Sequence, residues 1–174
     1  MTKRNVMVKI STSRSEVPES LFDGDDGEEL FPYRFSETDM PEPTDLLIEG
    51  RLMTNRQRVE LVYDEGEWSG MMGSVTSLGY DRTNPGLVSL MRTGTVKTAL
   101  LFEEGKRHFS VYDTPISSFQ VCVHTLRVEN ALLKEKRLYL DYLVEIHGAQ
   151  AERCRMTVTF QPASSVLEDI TRED

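Results

Sequence analysis

The residues best suited to chemistry begin with Arg92 and Lys97, which flank Gly94 in the run Arg92-Thr93-Gly94-Thr95-Val96-Lys97. An Arg facing the mouth of a barrel pairs well with a carboxylate, because its guanidinium offers two parallel donors. The alternative is a tight turn at Gly94, whose backbone freedom suits a chain reversal. Arg92 and Lys97 would then be solvated bases, as surface Lys and Arg usually are. Trp68 is the only Trp. It either caps a barrel end with its indole N–H partnered or stacks on a ligand.

His108, His124, His147, Cys122 and Cys154 raise the question of zinc. Cys122 and His124 stand two apart, so they share one strand face. No Cys-x-x-Cys or His-Glu-x-x-His spacing accompanies them, and no metal site is assigned. A hairpin centred near Leu132-Leu133 sets Cys122 opposite about Val144, and the next hairpin sets Cys154 opposite about Glu145. The thiols then lie two strands apart, roughly 9–10 Å by strand spacing. That exceeds the limit of ~7 Å for a disulfide.

The run Asp23-Gly24-Asp25-Asp26-Gly27-Glu28-Glu29 invites a calcium reading. Counted from Asp23, however, Gly27 and Arg34 fall where a calcium-binding EF-hand needs an acid and a Glu. Ser69 and Ser74 lack the Gly-x-Ser-x-Gly elbow of a nucleophile. No glycine loop with a following Lys-Ser or Lys-Thr is present to cradle phosphate. No catalytic residue and no cofactor is assigned, and the chain reads as a non-enzyme.

The elements that must position these residues are strands. Val6, Val8 and Ile10 alternate with Met7 and Lys9. Leu138, Leu140, Tyr142, Val144 and Ile146 form the clearest apolar face of period two. Cys154, Met156, Val158 and Phe160 form the next, across a turn at His147-Gly148-Ala149-Gln150 that makes the pair a β-hairpin. Shorter strands are expected over 46–53, 58–63, 70–80, 87–92, 96–102, 109–111 and 121–128, with a strong turn at Asn84-Pro85-Gly86. Gly70, Met71-Met72 and Gly73 read as a bent or bulged strand. The best helix candidates, 131–136 and 164–171, are too short to stand without tertiary support. About ten short strands joined by short turns imply an antiparallel up-and-down β-barrel or a sandwich, and closure would bury the sheet edges.

The chain has 174 residues and a net charge of −9. That size suits one domain, and the apolar content suits a sizeable core. The charge argues against a general grip on nucleic-acid phosphates or on an anionic membrane surface. It is unevenly placed: −10 over residues 15–45, −3 over 163–174, +4 over the first 14 residues and zero over 46–162. Residues 15–45 also hold four prolines, so a loop is expected there, with the aromatic patch Leu30-Phe31-Pro32-Tyr33-Arg34-Phe35 docked on the core. No apolar run follows Lys3 and Arg4 as in a signal peptide, and none approaches the ~20 residues of a membrane span. A cytoplasmic protein with reduced thiols is expected.

The stretch Met91-Arg92-Thr93-Gly94-Thr95-Val96-Lys97 resembles the Met-Arg-Ser-Gly-x-Val-Lys stretch of the YwiB-like family of uncharacterised bacterial proteins. Tyr112-Asp113-Thr114-Pro115 and the hairpin ending Met156-Thr157-Val158-Thr159-Phe160 fall where that family places equivalent strands. The resemblance spans roughly residues 46–160, with 15–45 as an acidic insertion after the first strand. It implies a calycin-like barrel, similar to lipocalins and fatty-acid-binding proteins. It transfers no catalytic residue, because the family carries no established activity.

The expected organisation is one barrel domain over 1–162 with an acidic tail over 163–174. The expected function is non-enzymatic binding of a small apolar or anionic ligand, with Arg92, Lys97, Trp68 and Tyr142 as candidate binding residues. The alternative is a protein-interaction module that uses the acidic and aromatic segment 15–45. No nucleic acid or membrane partner is expected. A homodimer is common for such domains.

Overall fold

The computed structural model describes residues 1–18, 20–22 and 40–163. Among them are ten strands: β1 (Thr2–Val17), β2 (Thr44–Thr54), β3 (Arg58–Asp64), β4 (Val75–Asp81), β5 (Leu87–Thr93), β6 (Thr98–Glu103), β7 (Arg107–Asp113), β8 (Ser118–Ala131), β9 (Arg137–Ile146) and β10 (Ala151–Pro162). A single helical turn, α1 (Leu132–Glu135), joins β8 to β9. Every ladder is antiparallel, and the order β6-β5-β4-β3-β2-β1-β10-β9-β8-β7 is a meander closed by β1 against β10. The expected up-and-down barrel is therefore present, nearly closed. Its seam lies between β6 and β7. At one end Lys97 and Asp113 exchange two backbone bonds of 2.8–2.9 Å, and at the other the 104–106 turn bonds to Thr125.

Alternation decides what fills the barrel. Inward positions include Val6, Val8 and Ile10 of β1, Leu138, Leu140 and Tyr142 of β9, and Cys154, Met156, Val158 and Phe160 of β10. Phe102 and Tyr142 meet across the interior with ring centroids 4.7 Å apart, so the middle of the barrel is plugged by side chains.

Three local expectations change, and β7 shows which of its faces is buried. Val75 is the first residue of β4, and Gly70 (φ 71°) and Gly73 (φ 91°) sit in a turn before it, beside a 3-10 turn at Glu67–Ser69. Residues 70–74 are thus a reversal and not a bulged strand. In β7 the apolar side chains of Phe109 and Val111 point outward and are exposed, while His108, Ser110 and Tyr112 carry the inward phase. Cys122 stands opposite Glu145, not Val144, because the hairpin is centred on α1 and not on Leu132-Leu133, a shift that the bulge at Leu126 only partly offsets. Cys154 stands opposite Tyr142, not Glu145, because the β9–β10 turn closes around Gly148 at φ 94°. The two cysteines are free and lie on opposite faces of the wall, Cys122 outside and Cys154 inside.

β1 runs on to Val17 and β2 starts at Thr44, so the acidic connection begins later than residue 15. Its first residues return to the barrel. Leu21 is fully buried on the outer wall with Val17, Cys122, Leu143 and Ala151. Glu145 accepts from the Leu21 backbone N–H at 2.5 Å and from Ser20 Oγ at 3.1 Å, and Arg107 donates to the Leu21 carbonyl at 3.1 Å. The aromatic patch 30–35, the acidic run 23–29 and the helix candidate 164–171 lie outside the described residues.

Candidate functional site

At one end the inner wall changes from apolar to polar. The ladders align Tyr63 of β3, Thr76 of β4, Arg92 of β5 and Thr98 of β6 in one row. The adjacent rows are Leu61, Leu78, Leu90 and Leu100, then Val59, Tyr80, Val88 and Phe102. Glu65 follows Tyr63 by two residues and keeps its inward phase, although β3 has ended. Its side chain is 1% exposed.

The polar groups hold one another. Thr76 donates to Glu65 Oε1 at 2.5 Å, and Arg92 Nε reaches the same oxygen at 3.3 Å and Thr76 Oγ1 at 3.0 Å. Tyr63 stands directly opposite Thr76 in the same row. Burial pushes the Tyr63 phenol up to about 12, reinforced by the Glu65 charge and opposed by Arg92. Burial raises Tyr142 well above its ordinary value, helped by its contact with Cys154, while the charges of Arg14 and Arg92 act against it. Arg92 and Tyr142 thus share one interior.

Four atoms on the inward phase are buried with no hydrogen-bond partner among the described residues: Glu65 Oε2, Thr98 Oγ1, Thr125 Oγ1 and His108 Nε2, the last 3.8 Å from Glu103 Oε2 at the seam. Thr98 belongs to the polar row, and Thr125 stands opposite Tyr142. Buried polar atoms are rarely left so, and each needs an account.

The wall beside this row is split. β2 and β3 pair only from Arg51–Val62 to Thr54–Val59. Continued by register, the ladder would set Gly50 against Tyr63 and Ile48 against Glu65. Instead residues 44–50 of β2 pair with β1 alone, and the inward Leu46 and Ile48 are only half-buried. A cleft of about 320 Å³ opens where the ladder stops, lined by Glu49, Gly50, Arg51, Tyr63 and Asp64 with Asn5. A Cβ on Gly50 would come within 3.0 Å of the Val62 carbonyl and the Val8 side chain, so Gly50 keeps this point of the wall thin.

The four residues singled out from sequence are not brought together. Arg92 faces inward, but the carboxylate beside it is the chain's own Glu65. Tyr142 is buried in the middle of the barrel. Lys97 is exposed at the β6–β7 seam. Trp68 is 53% exposed on the 3-10 turn, against Gly66. The sequence reading missed Glu65, Tyr63 and Thr76. Glu65 lies in the run Asp64-Glu65-Gly66-Glu67, which reads as a turn; the usable signal was the phase of Leu61, Tyr63 and Glu65. Among the described residues no three His, Cys, Asp or Glu side chains converge as a metal site would require. Among the described residues no helix is long and apolar enough to cross a membrane.

The fold is that of a crystal structure of the ywiB protein from Bacillus subtilis, with a TM-score of 0.63 at 17% identity over 92% of this chain and 93% of that one. No curated protein matches the sequence. The chain belongs to the family described as Domain of unknown function (DUF1934), whose pattern matches residues 33–158.

Proposed function

We propose that the protein is a calycin-like binding protein, not an enzyme, that takes a small, partly apolar ligand at the polar end of its barrel. The observation that carries this reading is the buried row Tyr63, Thr76, Arg92 and Thr98 with Glu65, together with the unpartnered atoms Glu65 Oε2 and Thr98 Oγ1. A wall that only needed to pack would continue the leucine and valine rows. Ligand sites combine mostly apolar walls with a few convergent polar groups. Phe102 against Tyr142 closes the middle, so the ligand sits above them, and the split between β2 and β3 is the way in. Two free thiols fit a cytoplasmic setting.

Native mass spectrometry of protein purified gently from its source, joined to a titration with the neutral apolar dye Nile red, tests the reading. A co-purifying small molecule and saturable dye binding at one site per chain are expected. Failure of both would overturn it. Partner recognition through residues 15–45 has less support, because Val17, Ser20, Leu21 and Phe22 are already engaged with the barrel's own wall.

A further inference from the structure

Resting on that reading, we propose that the polar end of the ligand donates a hydrogen bond to Glu65. Preferred ligands are then apolar molecules headed by an ammonium, amide or hydroxyl group and not by a carboxylate. This reverses what Arg92 alone suggests from sequence.

The argument starts from Glu65. Its Oε1 is occupied by Thr76 Oγ1 and Arg92 Nε. Its Oε2 is buried and has no donor among the described residues. A carboxylate oxygen can only accept. Left without a donor in a low-dielectric interior it carries a desolvation penalty with nothing to offset it. A donor on the ligand removes that penalty. A ligand carboxylate would instead set a second negative charge beside a buried one, whose charge the single guanidinium of Arg92 already balances. Thr98 Oγ1, also unpartnered, is a hydroxyl that donates or accepts, so it tolerates a remaining lone pair or N–H group of an amide head.

The surroundings fit such a molecule. Continued past its last pair, the β2–β3 register would set the half-buried Ile48 at the level of Glu65, with Leu46 one inward position beyond it. These two apolar side chains flank the split and would cover an alkyl chain whose head reaches Glu65. The outer lip of the split carries charges of both signs, Arg51 and Asp64 being 3.9 Å apart. It therefore does not select for an anion.

The test uses the full chain and three probes with one apolar body: octylammonium, octanamide and octanoate, each competing with Nile red. Octylammonium and octanamide are expected to displace the dye at least about tenfold more strongly than octanoate, the ratio of one unsatisfied hydrogen bond. Glu65→Gln should narrow that gap by admitting octanoate. Octanoate displacing the dye as well as or better than the donors would overturn the inference and leave ligand binding standing. A protein that binds neither the dye nor any of the three would overturn both. Should Glu65→Gln fail to fold, the comparison of the three probes on the native chain still decides, and Thr98→Val, which keeps the shape, supplies a second variant. It should weaken octanamide more than octylammonium. Equal weakening of all three probes would count against a directed head group.

Discussion

Glu65 and Arg92 form an ion pair inside the barrel, with Arg92 Nε 3.3 Å from Glu65 Oε1 and the two side chains 1% and 13% exposed. The Glu65 charge is shut off from bulk water, and Arg92 reaches it only at its margin. The pair therefore ties the end of β3 to β5 across β4, and it defines the polar end of the interior.

Removing one partner should cost more than removing both. Arg92→Met leaves the Glu65 charge buried and alone, for an expected loss of about 3–5 kcal/mol. The double variant with Glu65→Met as well should recover most of that loss. Urea unfolding of the two single variants and the double variant measures it. Additive losses would show that the two residues act independently.

Gly94 gives a backbone test. It has φ +107°, and a Cβ there would stand 2.3 Å from the Gly73 carbonyl oxygen. Gly94→Ala should therefore destabilise the protein by about 1–3 kcal/mol. Gly86, in the β4–β5 turn, meets nothing within 4 Å. Gly86→Ala should stay within about 0.5 kcal/mol of the native chain in the same thermal melts.

Alkaline pH should loosen the barrel. Burial raises the Tyr63 phenol from 10.0 to about 12, and burial raises the Cys122 thiol from 9.0 to about 11. Both groups are held protonated by the fold, so their contribution is complete below about pH 9. It is lost as pH rises through 11 to 12. Unfolding measured from pH 8 upward should show this fall, and Tyr63→Phe should make it shallower. An unchanged slope would place Tyr63 outside the effect.

The segment that follows β1 should act as a cover for Cys122. The Cys122 Sγ lies 3.9 Å from the Leu21 carbonyl, under a Leu21 side chain that is fully buried. Leu21→Ala should speed labelling of Cys122 by a thiol reagent and leave Cys154, inside the barrel, at its native rate. Peptide mapping of the labelled protein separates the two sites. Equal acceleration at both would indicate global loosening and not local release.

The barrel was legible where alternation is long. β9 and β10 each carry four or more inward apolar residues in phase, and their pairing follows from the short turn between them. In β7 the sequence marks a strand but not its buried face: Phe109 and Val111 are apolar yet exposed. A seven-residue strand at the seam does not contain enough alternation to show which face is buried. The cysteine register failed at Cys122 because the β8–β9 hairpin is centred on α1 and not on Leu132-Leu133, and at Cys154 because the β9–β10 turn centres on Gly148, nearer the start of the expected turn than its end. Arg92 was readable as a candidate, but its partner was not. Glu65 sits in an acidic, glycine-containing run that composition assigns to a turn. Only the three-dimensional row through Thr76 reveals the pair.

Amide-shift mapping by NMR during a Nile red titration addresses the central claim most directly. Saturating shifts are expected at Tyr63, Glu65, Thr76, Arg92 and Thr98 inside the barrel and at Leu46 and Ile48 beside the split. Shifts confined to the outer wall, or no saturable shifts at all, would contradict ligand binding at the polar end of the barrel.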